Sequence, residues 1–325
     1  MIMQNKIYFI LLLLFTNHFV FANDILTDYR HYGVNNIEQR LDKALSKTNY
    51  WKNYLQNKDT TFGYIESYNN ILTCNKNQSF LSMYKKDKNK TYKLQKKYNA
   101  FTGKNSGEKH REGDLKTPIG IYNLTRTLSN VDSFYGPLAF VTSYPNTFDK
   151  YRESTGHGIW IHGLPTDQTR DTFTKGCIAI NNNNLEYLSK NIDISKTLLI
   201  INGKDIKKNI SKKKLSVILA NLYAWRYAWI YNNTNDYLQF YSQNFKRFDG
   251  KNYNSFTRYK TRIFKKKEKK KIVFSQINIL PYPGTKDIYK ISFKESYHSN
   301  SFTFNGNKVL IVKFSNQNIQ ILTEK

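Results

Sequence analysis

Cysteine is almost absent from this 325-residue chain, which has two, Cys74 and Cys177. Two cysteines with 102 residues between them exclude a disulfide-rich scaffold, although a single bridge closing that loop would stabilise the fold by about 4.7 kcal/mol on a chain-entropy basis. Proline is also scarce, at six residues. Acidic residues are half as common as basic ones, 24 against 51, for a formal net charge of +27. That balance points to anionic neighbours. The chain lacks any apolar run of the roughly 20 residues that a membrane span needs. Its longest, Ile7 to Phe15, is short, follows a lysine, and precedes the small residues of Val20-Phe21-Ala22. This is the pattern of a secretory leader, residues 1–22, cut near Ala22. Export to the periplasm follows, and it turns the expected anionic partner from nucleic acid to wall polymer, lipid or acidic substrate.

Aromatics are plentiful, at 15% of residues, so the high charge does not imply disorder. About 300 mature residues predict more than one domain. Residues 23–69 read as a helical segment, with Ile37, Leu41, Ala44 and Leu45 at i, i+4, i+7 and i+8 and an apolar continuation through Trp51, Tyr54 and Leu55. Its core is small, so it should pack on a neighbour or on a second copy, which leaves a homodimer open. Residues 70–203 change texture. Short β-prone runs at 70–76, 79–85, 92–98, 124–126, 139–143, 158–162 and 198–202, with glycines between and one helix near 184–190, predict a mostly β domain. A lysine-rich linker, 204–214, leads to a third unit, 215–325. There, an apolar helix from Leu215 to Ile230 and a second over 237–245 precede strands at 257–264, 271–280, 288–296, 308–314 and 318–322. Helices followed by antiparallel strands make an α+β module. The tract KKKEKKK, residues 265–271, reads as a solvated hairpin tip.

The chemistry concentrates in HGIWIHG, residues 157–163, and TKGCIAI, residues 174–180. Alternation along a strand puts Ile159 and Ile161 on one face, and Gly158, Trp160 and His162 on the other. A thiol becomes a competent nucleophile once ionised, and a neighbouring imidazole can hold that state and later protonate a leaving group. Gly176 and Cys177 supply main-chain N–H groups that can stabilise an oxyanion. A zinc site from His157, His162 and Cys177 lacks any CxxC or HExxH spacing, so neither metal nor cofactor is expected. Cys74, in an apolar strand, reads as a buried free thiol. Upstream, GDLKTPIGIYNL, residues 113–124, builds a glycine- and proline-shaped entry into a strand.

G-D-x-x-T-P-x-G-x-Y, then I-H-G, then T-x-G-C, resembles the L,D-transpeptidase catalytic (YkuD-like) family. The resemblance spans about residues 72–202 and implies a β-rich catalytic domain acting on peptidoglycan stem peptides. It makes Cys177 the nucleophile and His162 the general base and acid, with the Gly163 carbonyl orienting the imidazole and Gly176–Cys177 forming the oxyanion hole. Two positions depart from the usual pattern. Lys175 stands where many members have histidine, and Ala179 stands where cross-linking members carry a polar residue. The Gly-Cys-x-Ala run and the domain order are similar to L,D-carboxypeptidases that shape curved and helical bacteria, whose last domain is NTF2-like. The expected activity is removal of terminal D-Ala from stem tetrapeptides. Alternatives are L,D-transpeptidation by the same residues and a non-catalytic wall-binding role. Substrate contacts are expected from Trp160 and Lys175, and from Arg258, Lys260 and Arg262 alternating along one strand of the last domain.

Overall fold

The computed structural model describes residues 4–325 apart from 167, 168, 170, 205 and 207, with backbone alone for 4–24. The expected leader therefore lies outside the residues whose side chains are described. No helix among the described residues is long and apolar enough to cross a membrane.

Two bodies share the chain. The first is a closed eight-stranded barrel of β2 (Asn70–Asn75), β3 (Phe80–Lys86), β4 (Tyr92–Phe101), β5 (Gly120–Leu128), β6 (Ala139–Thr142), β7 (Trp160–His162), β8 (Ile178–Ile180) and β9 (Thr197–Asn202), with α3 (Thr147–Tyr151) and α4 (Asn182–Asn191) outside. The order round the barrel is β2-β3-β4-β8-β7-β6-β5-β9. Two neighbouring pairs run parallel, β2 with β9 and β7 with β8; the others are antiparallel. Closure removes the exposed edges that short strands would otherwise present. Alternate residues fill the interior, among them Leu72, Cys74, Leu81, Tyr98, Phe140, Ile161, Ile178 and Leu199. Cys74 is thus a buried free thiol, pushed up to about 12 by burial. Cys177 forms no disulfide with it, so the bridge considered above is absent.

The second body is a five-stranded antiparallel sheet with α5 (Lys212–Ile230), α6 (Thr234–Leu238) and α7 (Tyr253–Phe264) over one face. Its strands lie in the order β1 (Tyr64–Ile65), β10 (Lys270–Pro281), β11 (Ile288–Ser299), β12 (Thr303–Ser315) and β13 (Asn318–Glu324). Eleven residues of α5 are buried, including Leu215, Leu219, Leu222 and Trp225, because the helix lies between the sheet and the N-terminal helices.

Those N-terminal helices, α1 (Gln4–Leu45, kinked at Gly33) and α2 (Thr48–Tyr54), pack on the second body. Trp51 packs on Tyr223 with the rings tilted and their centroids 5.0 Å apart, and Arg226 of α5 pairs with the buried Asp42 at 2.5 Å. Helix ends at Tyr54, well short of 69. The following chain turns and adds β1 to the sheet edge, with Tyr64 opposite Ile279. The lysine-rich linker is strapped down as well. Asn209 and Ile210 donate to the carbonyls of Thr61 and Thr60 at 2.9 Å, and Ile210 is buried.

Three expectations for the last unit need correction. Residues 257–264 are helical, not a strand: α7 starts behind Asn252, whose side chain accepts the Ser255 N–H, and places Phe256 and Phe264 in the core. The second helix stops at Leu238, because Tyr241 and Ser242 leave it to bridge to Ile321. KKKEKKK joins α7 to β10 instead of forming a hairpin tip, and Lys270 within it is buried.

The barrel meets the sheet's second face through an apolar patch of Ile71, Ile121, Ile200, Leu280, Tyr282 and Ile311. Tyr282 packs edge-on to Phe148 of α3 at 4.7 Å, and its hydroxyl accepts from Asn146 at 2.8 Å.

Candidate active site

His162 ends β7 and Cys177 immediately precedes β8, two neighbouring parallel strands. The register Ile161↔Ile178 and His162↔Ala179 sets their faces. Ile161 and Ile178 point into the barrel, so Trp160, His162 and Cys177 share the outer face. Cys177 stands one step back along β8 from the residue paired with Ile161. The alternation expected in HGIWIHG is therefore present, although the strand begins at Trp160 rather than Gly158.

The sulfur of Cys177 is partly exposed at the barrel surface, where the Trp160 N–H points to it at 3.5 Å and the Gly158 carbonyl lies 3.4 Å away. The imidazole of His162 is buried, with 1% of its surface exposed. Its Nδ1 lies 2.7 Å from the Gly163 carbonyl. A carbonyl only accepts, so Nδ1 carries the proton and Nε2 is the basic nitrogen. Tyr135 packs its ring at right angles to the imidazole, 5.0 Å between centroids, and also covers Trp160. The Tyr135 carbonyl accepts the Gly163 N–H at 2.8 Å.

Asn182, at the start of α4, holds the segment after His162 on both sides. Its Oδ1 accepts the Leu164 N–H at 2.7 Å, and its Nδ2 donates to the Leu164 carbonyl at 3.0 Å. A Cβ on Gly163 would stand 2.2 Å from that Oδ1, so only glycine fits the approach. On the other side, Thr174 braces the nucleophile loop. Its hydroxyl donates to the Cys177 carbonyl at 2.7 Å and accepts the Gly176 N–H at 3.0 Å. The Gly176 N–H, one of the two donors expected for the oxyanion hole, is thus engaged within the loop.

The GDLKTP segment organises the loop that borders the nucleophile. Asp114 accepts from Lys109 Nζ at 2.7 Å and from the backbone of His110, Arg111 and Lys116. Burial alone would raise its carboxyl, but these donors hold it down at about 2. Thr117, fully buried, accepts the Gly103 N–H at 2.8 Å, and its carbonyl receives the buried Lys76 ammonium. Burial lowers that ammonium to about 8.

The other expected site residues fall in different places. Lys175 is exposed beside the nucleophile loop. His157 is solvent-exposed, 3.6 Å from Glu112. Arg258, Lys260 and Arg262 do not form a row, because their segment is helical and far along the chain in the second body. Arg258 and Arg262 lie exposed one turn apart, while Lys260 turns inward over Trp229 at 4.6 Å and Tyr237 at 5.1 Å. Burial lowers Lys260 to about 7.

Sequence reasoning missed Tyr135, Thr174 and Asn182 as site residues. Thr174 was visible only as a position in T-x-G-C, and Asn182 as one of four consecutive asparagines. Nothing in the spacing marked Tyr135.

Residues 69–201 match the L,D-transpeptidase catalytic domain (YkuD), and residues 217–325 match the Cds6 C-terminal NTF2-like domain. A putative L,D-transpeptidase, YafK of Escherichia coli K12, is 32% identical over 82 residues, 25% of this chain and 30% of that protein, so the chain spans under a third of that curated relative. The crystal structure of Pgp2, a helical cell shape determining protein from Campylobacter jejuni, is 38% identical with a TM-score of 0.79, covering 86% of this chain and 99% of that one. Bd1075 of Bdellovibrio bacteriovorus is 28% identical with a TM-score of 0.64, covering 83% and 96%. With a barrel that carries the I-H-G and T-x-G-C segments on adjacent strands, and a second body shared with a cell-shape determinant, this chain belongs to the YkuD L,D-transpeptidase family, with an NTF2-like C-terminal domain.

Proposed function

We propose that the protein is an exported, cysteine-dependent L,D-carboxypeptidase of peptidoglycan, working in the periplasm and contributing to cell shape. The observation that carries this reading is the shared outer face of β7 and β8, which brings a buried, oriented imidazole and a partly exposed thiol to one surface.

In this mechanism His162 Nε2 takes the Cys177 thiol proton, and the resulting thiolate attacks the carbonyl carbon between the L-centre of diaminopimelate and the terminal D-alanine. A C–S bond forms and the carbonyl electrons move onto oxygen. The Cys177 main-chain N–H serves as donor to the developing oxyanion, while the Gly176 N–H stays bonded to Thr174. Collapse breaks the C–N bond as His162 Nε2 delivers a proton to the departing amine. Water then attacks the thioester, His162 takes its proton, and the thiolate is released with a tripeptide product. Gly163 keeps the imidazole in the required tautomer throughout.

Hydrolysis is favoured over cross-linking by Ala179, which is fully buried two residues after the nucleophile and offers no polar group to an acceptor amine. Purified protein incubated with tetrapeptide muropeptides tests this directly. Tripeptide alone means hydrolysis. Dimers or exchanged D-amino acids mean L,D-transpeptidation. No turnover by wild type, together with wall binding by a Cys177→Ala protein, means a non-catalytic binding role.

A further inference from the structure

Where the barrel meets the second body, the interface opens into two cavities of about 590 and 410 Å³, and both are lined by Asn123, Lys290, Asn307 and Val309. Lys290 belongs to β11 and sits between Leu280 and Ile311 in the sheet register, on the otherwise apolar face that packs on the barrel. It is 6% exposed. Its ammonium makes one long contact, 3.4 Å to the Ile121 carbonyl, and forms no ion pair with a carboxylate among the described residues. The acidic group it senses, Asp149, is already taken by Arg152 at 2.9 Å and by the Asn146 N–H.

Lysine is rarely buried without a partner, because taking an ammonium out of water is costly unless an anion or several acceptors replace the lost hydration. Surface lysines chosen for solubility do not explain a charge at this position. The rest of the larger cavity has the same sign. Lys150, Lys246, Arg247, Lys290 and Lys325 line it against Glu153, which is itself paired with Lys246 at 2.8 Å. The Nε of Arg247 is buried and makes no hydrogen bond, although Asp249 and Glu324 lie 3.8 and 3.9 Å from it, so Arg247 is already balanced in charge and Lys290 is the cation that is not. Burial also lowers the Lys290 ammonium to about 8, the direction expected of a cation lacking its counter-ion.

We propose that this inter-body cleft is an anion-binding site, separate from the Cys177 surface, that takes a ligand bearing carboxylate or phosphate groups and seats one of them on Lys290. A bound anion would link β5 and α3 of the barrel to β11 and β12 of the sheet. Both ligand sources share this chemistry: carboxylates of a wall peptide, or phosphates of a lipid headgroup or polymer.

The test is isothermal titration of the full mature chain at low salt with two probes, citrate and inorganic pyrophosphate. Neither is a peptide, so the result is independent of the proposed catalysis. Binding of citrate alone assigns the carboxylate source, and binding of pyrophosphate alone the phosphate source; binding of both assigns a general oxyanion site. In each case Lys290→Met should weaken binding about tenfold or more, as expected for losing a charge-assisted contact. Lys150→Glu, at the exposed rim, should weaken it several-fold and decides the matter if Lys290→Met fails to fold. Lys260→Met, whose ammonium packs over Trp229 and Tyr237 and does not line either cavity, should leave it unchanged. Failure of both probes to bind wild type overturns the proposal, as does undiminished binding to whichever of Lys290→Met and Lys150→Glu folds. Loss confined to Lys260→Met also overturns it.

Discussion

The main-chain N–H of Trp160 lies 3.5 Å from the sulfur of Cys177, across the parallel strands that carry the thiol and the imidazole. This backbone donor can hold the thiolate once it forms, while the Gly158 carbonyl 3.4 Å from the sulfur accepts only from the protonated thiol, so the two contacts bracket the proton transfer. The nucleophile should therefore be sensitive to its own identity and insensitive to conservative changes at Trp160. Cys177→Ala and His162→Ala should each reduce turnover of tetrapeptide by about 10⁴-fold, and the double variant should fall little further, since the two act as one unit. Thermal midpoints within a few degrees of wild type would show that the loss is chemical. Residual turnover above 10% in either variant contradicts the mechanism.

Asn182 touches neither thiol nor imidazole, yet it grips Leu164 through both ends of its amide. Asn182→Ala should free the segment that carries the Gly163 carbonyl and lower kcat by about 10- to 100-fold with little change in KM, because small misplacements of catalytic groups are costly. The alkaline and acid limbs of the kcat profile should shift as the imidazole loses its fixed tautomer. Equal losses in kcat and stability would instead assign Asn182 a purely structural role.

Gly63 precedes β1 at φ +132°, and a Cβ there would meet the Ile279 carbonyl oxygen at 2.1 Å. Gly63→Ala should cost about 3 kcal/mol through backbone strain and displacement of β1 from β10. The urea midpoint measures it, and an unchanged midpoint would mean that β1 contributes nothing to the sheet.

Asp42 and Arg226 are 8% and 12% exposed at their side chains and tie α1 to α5. Arg226 also donates to the Ile272 carbonyl at 2.9 Å. Arg226→Met should cost about 3–5 kcal/mol by leaving a buried carboxylate unpaired, and adding Asp42→Leu should recover much of it. A double-mutant cycle on unfolding free energies checks this, and strict additivity would contradict it.

Lys260 predicts a pH dependence. Burial lowers its ammonium to about 7 in the fold, below the ordinary lysine value of 10.5. Between those limits the unfolded chain binds the extra proton, so stability rises with pH from about 7 to 10.5, and the full penalty is present below 7. Lys260→Met should remove that penalty. Its stability advantage over wild type should be largest near pH 6 and shrink by pH 10, as read from urea midpoints at both. Glu295, Glu324, Lys308 and Arg247 surround the ammonium and stay in place in both proteins.

The barrel was legible because its strands are short, alternating and punctuated by glycine, and because Cys177 and His162 sit in segments with few alternative readings. The third unit was less so. Residues 257–264 carry Thr257, Tyr259, Ile263 and Phe264, side chains that favour strands, and only the Asn252 cap and the spacing of Phe256 and Phe264 argue for the helix that forms. Tyr237 to Phe245 has helical spacing, but Tyr241 hydrogen-bonds to Glu324 and follows the sheet edge, an outcome set by a residue 83 positions away. Tyr135 and Asn182 act through the backbone of other segments, and a linear pattern does not register that kind of contact.

The strand Tyr64–Ile65 enters the chain before the barrel yet completes the sheet built after it. The catalytic barrel is thus spliced into the other body, whose two halves embrace it from both ends of the polypeptide. A single cut, at either junction, cannot separate an enzyme from an accessory module: it would strip an edge strand and the Trp51 packing from one side and orphan the barrel on the other. Excising the barrel cleanly requires two cuts and a bridge from Ile65 to the strapped segment at Ile210, and exchanging barrels between relatives should follow those same two seams.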